Sequence, residues 1–113
     1  MSAKAKEFFE KFGQDMEKMK KSMPDTIRGF GGLFQSVMKD GALKTKEKEL
    51  IALGIAVAQR CAPCINMHVQ KSLAAGNTRE EILEAAGVAV VMQGGPAYTH
   101  IPEVLDALEA LGK

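Results

Sequence analysis

The sequence is poor in aromatic residues, with no tryptophan, one tyrosine and five phenylalanines among its 113 residues. The apolar fraction is nevertheless 46%, so aliphatic and methionine side chains must fill most of the core. Alanine and leucine, both good helix formers, are abundant. No segment alternates apolar and polar residues as a half-buried strand does. The sequence therefore predicts one all-α domain.

The chain also lacks a strong net charge and a long apolar run. Fifteen Lys and Arg residues against fourteen Asp and Glu residues leave a net charge of +1, which gives no field to attract nucleic acid or an anionic membrane. The longest apolar run covers residues 50–58, whereas a bilayer span needs about twenty residues. We expect neither a nucleic-acid partner nor a membrane partner.

Only two cysteines are present, too few for the disulfide framework of a small secreted domain. The first residues, Met1-Ser2-Ala3-Lys4, lack the apolar core of a signal peptide. These features predict a cytoplasmic protein.

Apolar spacing and breaker residues predict an N-terminal helix within residues 1–24 and a helical domain over residues 25–113. Pro24 should end the first helix, and a second should run from about Asp25 to Lys39. Thr45 is the expected N-cap of a third helix, over residues 46–59. Because residues 50–58 are apolar on every side, this helix is predicted to be central and buried all round.

A fourth helix should begin near Cys61 and end at Ala75, before a left-handed cap at Gly76-Asn77. Thr78 and Glu81 have the spacing of a capping box, which predicts the start of a fifth helix. The segment Gly94-Gly95-Pro96 interrupts the helical spacing of apolar residues and should end this helix. A final amphipathic helix follows, with Pro102 in its first turn or at a kink.

Cys61 and Cys64 form a Cys-Ala-Pro-Cys motif at the predicted start of the fourth helix. Side chains three residues apart share a helix face and can be bridged, and thiols at a helix N-terminus feel its partial positive charge. Thiolates, the nucleophiles of disulfide exchange and peroxide reduction, are favoured there. Pro63 stiffens this turn at little cost. The motif predicts a reversible dithiol/disulfide centre.

His68 lies one helical turn beyond Cys64 on the same face, where an imidazole can accept a thiol proton. If the third and fourth helices fold back antiparallel, Glu49 lies opposite His68 and orients it. Each residue also has a simpler interpretation. His68 could be only a partly buried helix histidine, and Glu49 only a surface carboxylate that complements the helix dipole. Together with the cysteines they predict a catalytic set of Cys61, Cys64, His68 and Glu49.

A zinc-binding structural module is an alternative use of the same residues. Cys61, Cys64, His68 and His100 could form a tetrahedral ligand set. A structural zinc site, however, usually stabilises a fold that lacks a core, and the apolar helices of this chain can form one.

The order and spacing of Glu49, Cys61, Cys64 and His68, followed by a helix and Gly76, resembles the core motif of alkylhydroperoxidase D-like proteins of the carboxymuconolactone decarboxylase superfamily. The resemblance covers about residues 25–113 and is strongest over residues 43–95. The chain differs at one position, because a proline precedes the second cysteine where the alkylhydroperoxidase has a histidine.

The resemblance implies an all-helical, single-repeat subunit that assembles into a homo-oligomer, a hexamer or a trimer. It assigns to Cys64 the attack on a peroxide and the formation of a sulfenic acid, to Cys61 the closure of the disulfide, and to His68 with Glu49 the proton relay. The implied substrate is a small-molecule peroxide or disulfide, and the implied reductant is a lipoyl- or thioredoxin-like dithiol protein. It implies no metal and no bound cofactor.

Two further functions compete with that of a thiol-dependent antioxidant oxidoreductase. Decarboxylation of a carboxymuconolactone, the other activity of the superfamily, needs proton donors rather than thiols, and similar decarboxylases generally lack the cysteine pair. A non-catalytic assembly protein would keep only the fold and use its methionines and small aliphatic residues for subunit packing. The presence of all four candidate residues favours the peroxidase or thiol-disulfide oxidoreductase.

Overall fold

The computed structural model describes residues 2–113. These residues form seven helices and no strand, which confirms the predicted all-α class. The helices are α1 (Ala3–Ser22), α2 (Pro24–Met38), α3 (Thr45–Ala58), α4 (Ala62–Ala74), α5 (Arg79–Gln93), α6 (Gly95–Tyr98) and α7 (Ile101–Ala110). Within this part of the chain, no helix combines the length and apolarity needed to cross a bilayer.

The core lies where α3, α4, α5 and α7 meet. Helix α3 packs along both α4 and α5, and α7 packs on α4. Each of the four helices contributes a large side chain with 0% exposure, namely Leu53, Ile65, Ile82 and Leu108. Burying a side chain of this size contributes about 1.5–3 kcal/mol. Helices α3 and α4 therefore form a firmly packed frame.

The sequence signals around the end of α4 are confirmed. Gly76 adopts a φ of +98°, and its N–H donates to the carbonyl of Leu73 at 3.0 Å. The N–H of Asn77 donates to the carbonyl of Ser72 at 3.0 Å. These two bonds form a Schellman motif, which ends the helix at a residue without a Cβ.

The predicted capping box at the start of α5 is also present. The Thr78 hydroxyl accepts a bond from the Glu81 N–H at 3.1 Å, and the Glu81 carboxylate accepts one from the Thr78 N–H at 2.8 Å. This backbone donor is the main reason that the pKa of Glu81 lies below its ordinary value. The last helix holds Pro102 in its first turn, one of the two predicted placements.

Thr45 is not the N-cap of α3 as predicted, because Lys44 occupies that position. The Thr45 hydroxyl instead donates to the carbonyl of Met38 at 2.6 Å, while its N–H donates to the Asp40 carboxylate at 2.8 Å. The second bond is the main cause that lowers the pKa of Asp40. The threonine therefore closes the loop between α2 and α3, and Glu47 accepts a bond from the Lys44 N–H at 3.2 Å.

The prediction that α3 is buried on all sides is wrong for this single chain. Ile51 and Ile55 are 50% and 56% exposed. They line an open groove of about 400 Å³, whose opposite wall on α5 includes Val88 and Met92. The apolar residues of α3 thus serve two surfaces, one that faces the core and one that faces outward. The short helix α6, which contains four residues, was not predicted because so short a segment carries no helical periodicity.

Candidate active site

The turn between α3 and α4 reverses the chain sharply just before the first cysteine. Arg60 adopts a left-handed φ of +55°, and its N–H donates to the carbonyl of Val57 at 3.0 Å. The N–H of Cys61 donates to the carbonyl of Ala56 at 3.1 Å. These bonds form a second Schellman motif, here with an arginine at the position that glycine usually occupies. The motif places the start of α4 beside the end of α3.

Cys61 and Cys64 are joined by a disulfide, with their Cα atoms 5.2 Å apart. Cys61 is the N-cap of α4, and its Sγ accepts a hydrogen bond from the Cys64 N–H at 3.2 Å. Pro63 lies in the first turn of this helix, where a missing N–H leaves no intrahelical bond unmade. Cys61 is partly buried and Cys64 is exposed. Cys64 is thus the cysteine whose residue is the more open to solvent.

His68 and Glu49 are in direct contact across α3 and α4. The Nδ1 atom of His68 lies 2.7 Å from Oε1 of Glu49. The carboxylate side chain is 4% exposed and the imidazole 17% exposed, so water competes little for this bond. The antiparallel arrangement of α3 and α4 therefore brings these two predicted residues together, and His68 lies on the helix that also carries the cysteine pair.

The contact fixes the roles of the two ring nitrogens. An ionised carboxylate can only accept a hydrogen bond, so Nδ1 of His68 donates to Glu49 and Nε2 is left as the basic nitrogen. Cys64 lies four residues before His68 and on the same face of α4. The arrangement can accept a proton at Nε2 and hold the resulting imidazolium against a carboxylate.

Two side chains beside His68 were not identified from the sequence. The ring of Phe34, on α2, stacks on the imidazole with centroids 6.2 Å apart and planes 23° apart. The Nζ atom of Lys71 lies 5.0 Å from the centroid of the same phenyl ring. Lys71 could have been noted as one turn beyond His68 on α4. No local signal indicates Phe34, because its contact joins residues far apart in sequence.

The zinc alternative has no support in the described residues. Among residues 2–113, no three His, Cys, Asp or Glu side chains are grouped so that they could hold a metal ion. His100, the proposed fourth ligand, has its Nδ1 atom 2.8 Å from the carbonyl oxygen of Pro96.

Comparison with protein families finds one match that covers most of the chain. The model of the carboxymuconolactone decarboxylase family matches residues 24–110. Among curated proteins, uncharacterized protein 4 in the cox locus of Paracoccus denitrificans is 39% identical over 82 residues, which are 73% of this chain and 74% of that protein. An uncharacterized protein of Methanocaldococcus jannaschii is 33% identical over 86% of this chain and 94% of its own length.

Solved structures share both the fold and part of the sequence. The apo form of a carboxymuconolactone decarboxylase family protein from Legionella pneumophila superposes with a TM-score of 0.90 and 42% identity, covering 97% of this chain and 98% of that one. A family member from Thermotoga maritima, described as having a possible part in the antioxidative response, superposes with a TM-score of 0.80 and 30% identity. That match covers 94% of this chain and 90% of the other.

Proposed function

We propose that this chain, which belongs to the carboxymuconolactone decarboxylase family, is a thiol-dependent oxidoreductase that reduces peroxides with the Cys61–Cys64 pair. The observation that carries this proposal is the 2.7 Å contact between His68 and the buried Glu49 on the frame that holds the cysteines. A disulfide with a purely structural role needs no histidine oriented by a carboxylate. The antioxidative description of the Thermotoga maritima relative supports the same class of function.

The first step uses the exposed thiol. Nε2 of His68 accepts the proton of the Cys64 thiol, and the thiolate attacks the terminal oxygen of the peroxide. A sulfur–oxygen bond forms as the oxygen–oxygen bond breaks. The leaving alkoxide takes the proton back from His68 and departs as an alcohol, while Cys64 becomes a sulfenic acid. Glu49 stabilises the imidazolium that exists between these proton transfers.

The second step uses the N-cap thiol. The Cys64 N–H that bonds to the Cys61 sulfur at 3.2 Å also stabilises a negative charge on that sulfur. The Cys61 thiolate attacks the Cys64 sulfur, the disulfide forms, and the hydroxyl leaves as water after gaining a proton. The two thiols thus supply the two electrons that the peroxide accepts. A lipoyl- or thioredoxin-like dithiol protein then reduces the disulfide and becomes oxidised itself.

Self-association is part of the proposed functional form. The groove between α3 and α5 is lined almost entirely by aliphatic side chains, and Ile51, Ile55 and Val88 on its walls are at least half exposed. Met92 on the same groove is 78% exposed, and Val91, the residue before it on α5, is 83% exposed. A contiguous apolar surface of this kind is typical of a subunit interface. We therefore expect a homo-oligomer, a trimer or a hexamer, built through this face.

The test of the chemistry is peroxide consumption by the reduced protein with dithiothreitol as reductant, combined with the mass of the intact protein. Cys64→Ser should abolish consumption. Cys61→Ser, reduced and then freed of dithiothreitol because that reagent also reduces a sulfenic acid, should consume one equivalent of peroxide and hold one additional oxygen atom on Cys64, as a sulfenic acid that dimedone captures. Gln70→Ser is the matched control, because it makes an exposed serine elsewhere on α4 and should behave as the unmodified protein.

His68→Ala provides the second arm of this test. It should slow alkylation of Cys64 by iodoacetamide near neutral pH, because the proton acceptor is missing. The proposal is wrong if both cysteines alkylate slowly and equally and the His68 substitution leaves both rates unchanged.

A further inference from the structure

A second pocket lies between α2 and α4, beside the candidate active site. It is an open hollow of about 210 Å³, lined by Phe30, Gly31, Phe34 and Gln35 from α2 and by Met67 and Lys71 from α4. Two phenyl rings and a thioether give it apolar walls. Such a volume equals that of about seven water molecules at liquid density, enough for a short alkyl chain. The pocket thus suits an apolar ligand of limited size.

The pocket is continuous with the face of α4 that carries the proposed chemistry. Phe34 lines the pocket and also stacks on His68. Cys64, Met67, His68 and Lys71 follow one another at helical spacing, three, four and seven residues after the first. A ligand in the pocket therefore lies along the same stripe of the helix as the reactive thiol.

A single cation lies at the far end of this stripe. The Nζ atom of Lys71 lies 5.0 Å from the centroid of Phe34, and none of the salt bridges within residues 2–113 involves it. An exposed contact with a ring face contributes only about 0.5–1 kcal/mol. A ligand carboxylate would give this ammonium a charge-assisted hydrogen bond, which is stronger. An apolar pocket with one cation at its edge is complementary to an alkyl chain that ends in a carboxylate.

We propose that this pocket selects alkyl hydroperoxides that carry a carboxylate, with Lys71 as the specificity-determining residue. The alkyl chain lies between Phe30, Phe34 and Met67, the carboxylate bonds to Lys71, and the peroxide reaches Cys64. Lys71 and Cys64 are seven residues apart, about 10 Å along the helix axis. An extended chain of about eight carbons, at roughly 1.3 Å per bond, covers this distance.

This inference rests on the proposed peroxidase function, and it adds no new chemical step. The Cys64 thiolate attacks the terminal peroxide oxygen, the alkoxide leaves and is protonated to a hydroxy acid, and the two cysteines supply both electrons. The carboxylate and Lys71 contribute binding only. Because their attraction is electrostatic and close to the surface, it should weaken as ionic strength rises.

The experiment compares two peroxides that differ in charge. The first is octanoic acid with a hydroperoxide on its terminal carbon, and the second is the methyl ester of the same molecule. The full-length protein with its cysteines reduced should have a kcat/KM about tenfold higher for the acid. Lys71→Met keeps an apolar side chain of similar length and should remove that preference, by lowering the kcat/KM for the acid to the value for the ester. Lys18→Met, which removes a lysine from the exposed surface of α1, should keep the preference.

A binding measurement separates failure of the pocket from failure of the peroxidase proposal. Octanoate, which has no peroxide, should shift the NMR signal of the Met67 methyl group in the protein, and about tenfold more octanoate should be needed with Lys71→Met. If octanoate binds in this way but neither peroxide is consumed, the pocket is supported and the peroxidase function fails. If both peroxides are consumed equally well, or octanoate shifts only residues of the α3–α5 groove such as Ile55, the inference about the pocket is overturned.

Discussion

Helices α3 and α4 differ from α2 in how strongly the rest of the chain holds them, although all three contribute to the candidate site. The two central helices each bury four residues, among them Glu49 and Ile65. Helix α2 buries none, and Phe30, Leu33 and Val37 on it are more than half exposed. The proposed proton relay therefore stands on the firmly packed part of the molecule, and the wall of the neighbouring pocket on the loosely packed part.

This difference in packing suits the proposed roles of α3 and α4 as the support of the proton relay and of α2 as the wall of a ligand pocket. A relay needs fixed geometry, because hydrogen bonds weaken quickly as distance and angle depart from their optimum. A pocket wall that touches the site mainly through Phe34 can move to admit ligands, since opening it breaks few buried contacts. A change in one of these two parts should therefore leave the other part largely unaffected.

The largest expected effect is on stability. Leu53→Ala should lower the free energy of unfolding by about 2–5 kcal/mol, because it leaves a cavity at a fully buried position in α3. Leu33→Ala, the same change at a position on α2 that is 60% exposed, should change it by less than about 0.5 kcal/mol. Urea unfolding at a fixed protein concentration measures both. Equal losses in the two variants would show that α2 is packed as firmly as the core.

The second effect is on assembly. Ile55→Lys places a charge on the exposed apolar face of α3, and burying an unpaired charge in an interface is costly. We expect the dissociation constant of the homo-oligomer to rise roughly 100-fold, which corresponds to about 2.7 kcal/mol. Analytical ultracentrifugation over a range of concentrations measures this change. Gln70→Lys adds the same charge to the exposed face of α4 and should leave assembly intact. A stable monomer in the unmodified protein would contradict the interface itself.

Most of the fold could be predicted from signals that act within a few residues. The capping box at Thr78 and the glycine after α4 depend on bonds between near neighbours, and both were predicted correctly. A reversal around residue 60 was assumed as a condition, but the left-handed conformation of Arg60 could not be identified in the same way, because arginine rarely adopts it. The backbone bonds to Val57 and Ala56 accompany this conformation.

The candidate site can likewise be divided into features that local sequence signals predict and features that depend on tertiary packing. The spacing of Cys61, Cys64 and His68 on one helix is a local signal and could be predicted directly. Glu49 could be added to the site only after α3 and α4 were taken as antiparallel neighbours. The contact between Phe34 and His68 depends on how α2 lies over α4, and composition does not determine that. The exposure of Ile51 was missed because the sequence shows that a residue is apolar but not which surface it serves.

The third effect is on the reactivity of Cys64, and it distinguishes the proposed role of Glu49 from that of a carboxylate elsewhere on α3. Glu49→Gln should slow alkylation of Cys64 near neutral pH about tenfold, or about 1.4 kcal/mol in barrier, because an amide stabilises the His68 imidazolium less well than a carboxylate does. The loss should shrink as pH rises, since the thiol then ionises without a base. Glu47→Gln, two residues earlier and exposed on the other side of α3, should leave the whole pH profile unchanged. An equal loss at every pH would indicate a packing defect rather than a missing orienting group.

The smallest effect concerns the loosely held helix. Gly29 lies inside α2, and a Cβ atom at this position would contact nothing within 4 Å. Gly29→Ala should therefore increase helix stability by about 0.5–1 kcal/mol through the lower conformational freedom of alanine. Hydrogen exchange of the α2 amides should slow, while the alkylation rate of Cys64 should stay the same because the relay belongs to α3 and α4. Gly13→Ala makes the same change at an equally open position in α1, and it should leave α2 exchange unchanged. If Gly29→Ala slows exchange in α3 and α4 as well, the helices open as one unit, and the contrast between a fixed relay and a movable pocket wall does not hold.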